Sequence, residues 1–145
     1  MLRGLSSLAL RDLKAAKELR WEDHRMPEIF VAKAGEITDG DRRIVRTPKG
    51  EIGVFNHKGA FHAYANNCVH SGGPACEGIL VNKVVDIIAE DKTYQGQTFS
   101  DVMHFVCPWH GYEFDIETGI CAGNSKLKIK KFETVVRGGD VYLVA

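Results

Sequence analysis

The sequence predicts a mainly β protein, a small antiparallel domain preceded by an added N-terminal helix. Three observations support this prediction. From residue 28 onward, short segments of alternating apolar and polar residues are separated by turn residues, which is typical of antiparallel sheets. Residues 1–26 instead carry apolar residues at helical spacing. Two segments that contain Gly and Pro each hold one Cys and one His, which predicts two tight loops presenting metal ligands.

The overall composition excludes several classes of protein. The chain has 145 residues, enough for one domain with a sizeable core. Its 19 basic and 19 acidic residues balance, so the charge does not favour a nucleic-acid partner. No apolar run reaches the length of a membrane span, and 4 Cys in a chain of this size do not indicate a disulfide scaffold. We therefore expect neither nucleic acid nor a membrane among the partners.

The N-terminal extension, residues 1–26, is predicted to be helical from about Ser6 to Trp21. Its apolar residues at helical spacing are Leu5, Leu8, Leu13, Ala16 and Leu19. The first residues lack acids and resemble a mitochondrial presequence. An apolar stripe needs a surface to cover it. That surface is either the protein's own domain or a second subunit, and a homo-oligomer formed through this helix is one expectation.

The first half of the β domain is predicted to hold four short strands. They are residues 29–32, 43–46, 52–56 and 60–65, with turns at 39–41, 48–50 and 57–59 between them. His57 and His62 fall on a turn and a strand of this half. We interpret both as ordinary residues, because a set of four metal ligands is complete without them.

The two ligand loops contain the patterns Cys68-x-His70 and Cys107-x-x-His110. Two metal centres take two Cys and two His. Structural zinc sites bind such a set tetrahedrally, usually with Cys paired to Cys and His paired to His along the chain. Here each loop mixes one Cys with one His, which suits a [2Fe–2S] cluster with two Cys on one iron and two His on the other. Both centres remain open on the spacing alone.

The residues around the ligands carry a family resemblance. C-x-H-x-G-G-P and C-P-W-H-G-Y-E-F-D resemble the Rieske ferredoxin family, and the similarity runs from about residue 28 to residue 144. This resemblance implies a small Rieske-type β-sandwich over residues 27–145 and one [2Fe-2S] cluster per chain. It also implies that Cys68 and Cys107 bind one iron and that His70 and His110 bind the other. A zinc module remains the distant alternative.

The resemblance also bears on compartment and reduction potential. High-potential Rieske proteins join their two loops by a disulfide, and the corresponding positions here are Gly73 and Trp109. The chain therefore resembles the disulfide-free branch, and we expect a cytoplasmic protein. High-potential relatives also place hydroxyl donors where this chain has Tyr112 and Phe114. Phe114 has no hydroxyl and Tyr112 is too long to replace a Ser, so we expect a potential near the low Rieske limit of about −150 mV.

An insertion separates the two loops. Between His70 and Cys107 lie 36 residues, about twenty more than in short members of the family. The insertion spans residues 81–100. Its β-branched residues favour a hairpin over a short helix followed by a strand, with the turn at residues 95–97 and the far strand at 98–106. His104, on that far strand, is interpreted as a strand residue near the cluster rather than a fifth ligand.

The C-terminal part is predicted to complete the sheet. Residues 113–118 form a strand that ends in a turn at Gly119, and residues 121–125 form a third loop that lacks the Pro of similar family members. Residues 126–131 alternate Lys with apolar residues, which predicts an edge strand protected by charge or a docking face for an acidic partner. Residues 132–136 and 141–144 form a terminal hairpin.

Two functions remain from the sequence. The first is a one-electron carrier that passes electrons from a flavin-dependent reductase to a terminal oxygenase. The second is a tightly bound Rieske small subunit of a larger oxidoreductase, such as a nitrite reductase. No 2-His-1-carboxylate set that could activate dioxygen is evident. We therefore expect electron transfer without substrate chemistry and assign no catalytic residues.

Overall fold

A computed structural model describes residues 26–145 and shows an antiparallel β fold. The strands are β1 Glu28–Lys33, β2 Arg42–Thr47, β3 Gly50–His57, β4 Ala60–Ala65, β5 Leu80–Ile88, β6 Tyr94–Val106, β7 Glu113–Asp115, β8 Lys131–Arg137 and β9 Asp140–Val144. One 3₁₀ turn, Ala34–Glu36, follows β1. The mainly β prediction is confirmed. The predicted N-terminal helix lies outside the described residues.

The larger sheet has six strands in the order β1-β9-β8-β4-β3-β2. It contains all four strands predicted for the first half and both strands of the predicted terminal hairpin, and their observed ends differ by at most two residues. The β3–β4 turn places Lys58 and Gly59 at φ of 53° and 84°. Positive φ at both central residues is the geometry that lets a two-residue turn follow the twist of a hairpin. Gly138 and Gly139 do the same between β8 and β9.

The smaller sheet has three strands in the order β5-β6-β7 and carries the second ligand loop between β6 and β7. An aromatic core joins this sheet to the larger one. The ring centroid of Phe105 on β6 lies 5.0 Å from those of Phe55 and Tyr64 and 5.5 Å from that of Phe114. All four rings are fully buried, and the Cys side chains of both ligand loops are buried in the same cluster. The loops are therefore anchored directly in the core.

The insertion forms the predicted hairpin, but its turn is not where the sequence indicated. The chain reverses between Ala89 and Thr93, where the Ala89 N–H donates to the Thr93 carbonyl. Asp91 stabilises this reversal by accepting hydrogen bonds from the Thr93 N–H and hydroxyl. Gly96 lies inside β6 at φ 103°, where the register with β5 shifts. Gly96 therefore marks a bulge within β6. In the sequence, a glycine at a bulge looks the same as a glycine in a turn.

The predicted strand over residues 126–131 is wrong. Only Lys131 belongs to a strand, and one isolated bridge joins Lys128 to Ile120. The apolar alternation arises because Leu127 is half-buried against the core and Ile129 is buried in it, while the neighbouring Lys126, Lys128 and Lys130 are exposed. The predicted strand 113–118 is likewise shorter. Because Asp115 accepts hydrogen bonds from residues 117 and 118, the chain turns at the end of β7.

Candidate metal centre

The two ligand loops share one backbone pattern. In each loop the N–H of the residue four positions after the Cys donates to that Cys carbonyl, from Gly72 to Cys68 at 2.8 Å and from Gly111 to Cys107 at 3.0 Å. In each, the Cys N–H donates at 2.8 Å to the carbonyl five residues further on. The two Gly residues have φ of 73° and 71°, which a side chain would disfavour. The loops are thus two copies of one turn.

The thiols of this site point inward. Cys68 is 5% exposed and Cys107 is 1% exposed. Burial raises the pKa of the Cys68 thiol, a hydrogen bond from the His70 backbone lowers it, and a side-chain hydrogen bond with Cys107 raises it again. The two thiols are therefore close enough for Cys107 to affect the pKa of Cys68, although 39 positions separate the residues in the chain.

The imidazoles of this site lie at the surface. His70 and His110 are both exposed, and their ring centroids are 4.8 Å apart with the ring planes at 85°. The structure therefore places the four residues that the sequence singled out as two pairs, a buried Cys pair and an exposed His pair.

This arrangement separates the four donors by type and by depth. A single zinc ion would need all four donors within about 2.0–2.3 Å of one point. Within residues 26–145, no group of three or more His, Cys, Asp or Glu side chains is placed to hold one metal ion. A two-iron cluster takes its Cys pair at one iron and its His pair at the other, so it spaces the pairs apart. The donor set fits the [2Fe–2S] cluster.

Two aromatic contacts cross between the loops. A Cβ placed on Gly73 would lie 2.7 Å from two atoms of the Trp109 indole, so the indole packs flat against that backbone. Gly73 and Trp109 are the two positions that correspond to the disulfide of high-potential Rieske proteins. Tyr112 stacks on His70, with ring centroids 4.2 Å apart and planes at 16°. Neither contact was predicted from the sequence, because each depends on how two distant loops meet.

Phe114 and His104, which were weighed near the site, have structural roles, and so does Cys76. Phe114 is fully buried beside Phe105 and offers no hydroxyl to the site. His104 is buried, and its Nδ1 lies 2.9 Å from a carboxylate oxygen of Glu113. Burial raises the pKa of Cys76 to about 12, and its thiol donates to the Tyr64 carbonyl at 3.5 Å. None of the four Cys forms a disulfide.

A two-sheet antiparallel domain with paired Cys/His loops, thiols inward and imidazoles outward, defines an iron–sulfur protein of the Rieske type. Residues 28–133 match the family model of the Rieske [2Fe-2S] domain. The chain belongs to this family. No helix within residues 26–145 has the length and apolar character needed to span a bilayer.

Known proteins similar to the chain include a human Rieske domain-containing protein, 30% identical over 98 residues. That match covers 68% of this chain but only 52% of the human protein, so the chain spans about half of its relative. A chain in the complex of reduced oxygenase and oxidized ferredoxin in carbazole 1,9a-dioxygenase has a TM-score of 0.60 at 25% identity, covering 82% of this chain and 94% of that one. A Mycobacterium tuberculosis protein described as an NADH-dependent nitrite reductase small subunit has a TM-score of 0.63 at 15% identity, covering 81% and 93%. The last shares the fold alone.

Proposed function

We propose that the chain is a one-electron carrier whose [2Fe–2S] cluster is bound by Cys68 and Cys107 on one iron and by His70 and His110 on the other. The observation that carries this proposal is the pairing of the candidate donors, with two thiols buried in one core cluster and two imidazoles 4.8 Å apart at the surface. The exposed imidazoles give an electron a short route between solvent-facing atoms and the centre.

The bound cluster supplies a centre that takes up and releases one electron. The chain supports it in three ways. The aromatic core around Phe105 excludes water from the thiol side. The stacked ring of Tyr112 holds the His70 imidazole in one orientation. The backbone turns with Gly72 and Gly111 fix the Cys residues that precede them. No residue is assigned to substrate chemistry, so the proposal is a non-catalytic carrier or subunit.

For the partners, we propose a flavin-dependent reductase as donor and a terminal oxygenase as acceptor, in the cytoplasm. The ferredoxin–oxygenase complex among the similar structures supports the acceptor. The second candidate is a tightly bound small subunit of a larger oxidoreductase such as a nitrite reductase. The exposed apolar residues of the β5–β6 hairpin favour that candidate, because such surfaces mark protein contacts. Purification of the protein from native extract separates the two, since only the second predicts a stable complex with a larger subunit.

The ligand assignment is tested by iron content and visible absorbance. Cys68→Ser, Cys107→Ser, His70→Ala and His110→Ala should each lose the cluster, because every donor is needed to hold two irons. Two matched controls should keep about two irons per chain. Cys121→Ser changes another buried Cys of the same core cluster, and His62→Ala changes a half-buried His on β4. A variant of the four that keeps both irons would remove that residue from the proposal.

A further inference from the structure

Residues 75–79 form a connecting segment that runs from the first ligand loop to the second. At its start, the Ala75 N–H donates to the Gly73 carbonyl at 2.9 Å. At its end, the Ile79 carbonyl accepts a hydrogen bond of 3.0 Å from the Val106 N–H, one position before the Cys of the second loop. The connecting segment is therefore bonded to the chain beside both proposed thiol ligands.

Gly78 brings the connecting segment into direct contact with the second loop. A Cβ placed on this residue would clash with the Val106 carbonyl and would lie 3.3 Å from Cδ of Pro108. Val106 and Pro108 are the two neighbours of Cys107 in the chain. The backbone at Gly78 thus packs on both residues that flank a proposed cluster ligand. Because close-packed contacts transmit displacements, a shift of the connecting segment would also move Cys107.

Arg42 on β2 fixes the connecting segment to the larger sheet. Its Nη1 atom donates to the Cys76 carbonyl at 2.6 Å and also to the Gly78 carbonyl. Its Cζ atom lies 5.4 Å from the ring centroid of Phe55, which is fully buried in the core. Hydrogen bonds from a charged donor are stronger than those between neutral groups, and a cation over an aromatic face adds to them. One half-buried side chain from a distant strand therefore holds two carbonyls of the connecting segment.

The two ends of the connecting segment depend on Arg42 to different extents. Cys76 has other anchors, because its N–H donates to Oδ1 of Asn66 at 2.9 Å and its thiol donates to the Tyr64 carbonyl at 3.5 Å. Within residues 26–145, Arg42 is the hydrogen-bond donor to the Gly78 carbonyl. Loss of the guanidinium would therefore release the Gly78 end, which is the end that contacts the second loop.

We propose that Arg42 is a positioning residue for the cluster, which holds the connecting segment against the second loop and so keeps Cys107 in place to bind iron. This role depends on the proposed function, because Cys107 is one of the four proposed ligands. Arg42 acts through the backbone at Gly78. Without it, local opening of the connecting segment should become more frequent, and the cluster should be released faster.

Hydrogen exchange measured by mass spectrometry tests the local effect on the cluster-loaded, full-length protein. Arg42→Met removes both donated hydrogen bonds and keeps a long side chain beside Phe55. Peptides that cover residues 75–80 and 106–111 should exchange about tenfold faster than in wild type, the change expected for a hydrogen bond from a charged group. Peptides of the β8–β9 hairpin should keep the wild-type rate. Arg43→Met, at an exposed neighbour on the same strand, is the matched control and should change neither region.

The rate of cluster release, followed as the decay of visible absorbance with an iron chelator, connects this local effect to the metal centre. Arg42→Met should release its cluster about tenfold faster than wild type, and Arg43→Met should release it at the wild-type rate. Arg42→Lys should lie between wild type and Arg42→Met. Its ammonium can still donate to the two carbonyls, but it lacks the planar guanidinium that lies over Phe55.

The possible outcomes separate the role of Arg42 from the proposed function. A wild-type protein that holds no iron would overturn both. A wild-type protein that holds its cluster, with Arg42→Met releasing it at the same rate, would overturn the role of Arg42 alone. Faster exchange that extends to the β8–β9 hairpin, or an equal effect of Arg43→Met, would do the same. An Arg42→Met protein that takes up no iron supports the role if Arg42→Lys takes it up, and overturns it if Arg42→Lys does not.

Discussion

Replacing Gly73 with alanine tests how the two ligand loops hold each other. The new Cβ would lie 2.7 Å from Cγ and Cδ2 of Trp109 and 3.1 Å from Cε3. Contacts below 3.0 Å are not tolerated, so the indole must move. Gly73 is not among the residues with positive φ, so alanine fits its backbone and the effect isolates the steric contact. At Gly72, whose φ is 73°, alanine would also strain the backbone, so the steric effect could not be measured by itself.

The magnitude follows from the exposure of the indole. Overpacking a closed core costs about 1–3 kcal/mol. Trp109 is 58% exposed, so it can swing toward solvent, and we expect the lower limit of about 1 kcal/mol. The contact tethers the loops over the cluster, so its loss should appear in the rate of cluster release. An energy of 1 kcal/mol corresponds to about a fivefold change in rate.

The assay is the decay of visible absorbance in the presence of an iron chelator, for wild type, Gly73→Ala, Trp109→Ala and the double variant. Gly73→Ala should lose its cluster about five times faster than wild type. The double variant should be no faster than Trp109→Ala alone, because the clash disappears with the indole and the two changes are coupled. A wild-type rate for Gly73→Ala, or two effects that simply add, would refute the idea that this contact ties the loops.

Four further outcomes are expected. Tyr112→Phe should keep the wild-type rate of cluster release, whereas Tyr112→Ala should accelerate it, since the ring and not the hydroxyl stacks on the imidazole. Glu113→Ala should lower the free energy of unfolding by about 1–3 kcal/mol in denaturant titrations, because it leaves buried His104 without its partner. Burial raises the pKa of Cys76 from 9.0 to about 12, so its contribution to the free energy of unfolding is complete below pH 9 and is lost as the pH rises toward 12. Unfolding titrations from pH 8 to pH 11 should therefore show a smaller alkaline loss for Cys76→Ala than for wild type. Deletion of residues 1–25 should leave the visible spectrum intact, and a lost cluster would contradict the separation of the extension from the Rieske domain.

The strands were predictable wherever local chemistry decides them. The Lys58-Gly59 and Gly138-Gly139 turns contain glycine, which accepts positive φ, between alternating segments, and both hairpins were placed within two residues. The insertion hairpin was predicted from its β-branched residues, but its turn was not. Asp91 fixes the reversal by accepting hydrogen bonds from Thr93. An Asp that does this is harder to recognise in a sequence than a turn glycine.

The candidate ligands of the site were predictable because they lie in two short sequence motifs. The spacing of Cys and His predicted four candidate donors, and the structure places them as an exposed His pair and a buried Cys pair. The alternation at residues 126–131 led to a wrong strand prediction. Leu127 and Ile129 pack against the core from a loop, and this gives the same two-residue period as a strand. The stacking of Tyr112 on His70 depends on how two distant loops meet, and no local pattern encodes it.

The two aromatic contacts have a common origin that explains why this site needs no disulfide. Trp109 and Tyr112 lie on either side of His110 in the second loop, and both rings reach the first loop, one at Gly73 and the other at His70. A disulfide would join the loops at one point and leave the imidazoles to orient separately. Two rings from one loop instead fix both the distance between the loops and the angle of an imidazole. The same four-residue segment therefore supplies a proposed ligand and the contacts that position the opposite one, so the geometry of the His pair is set largely by the second loop.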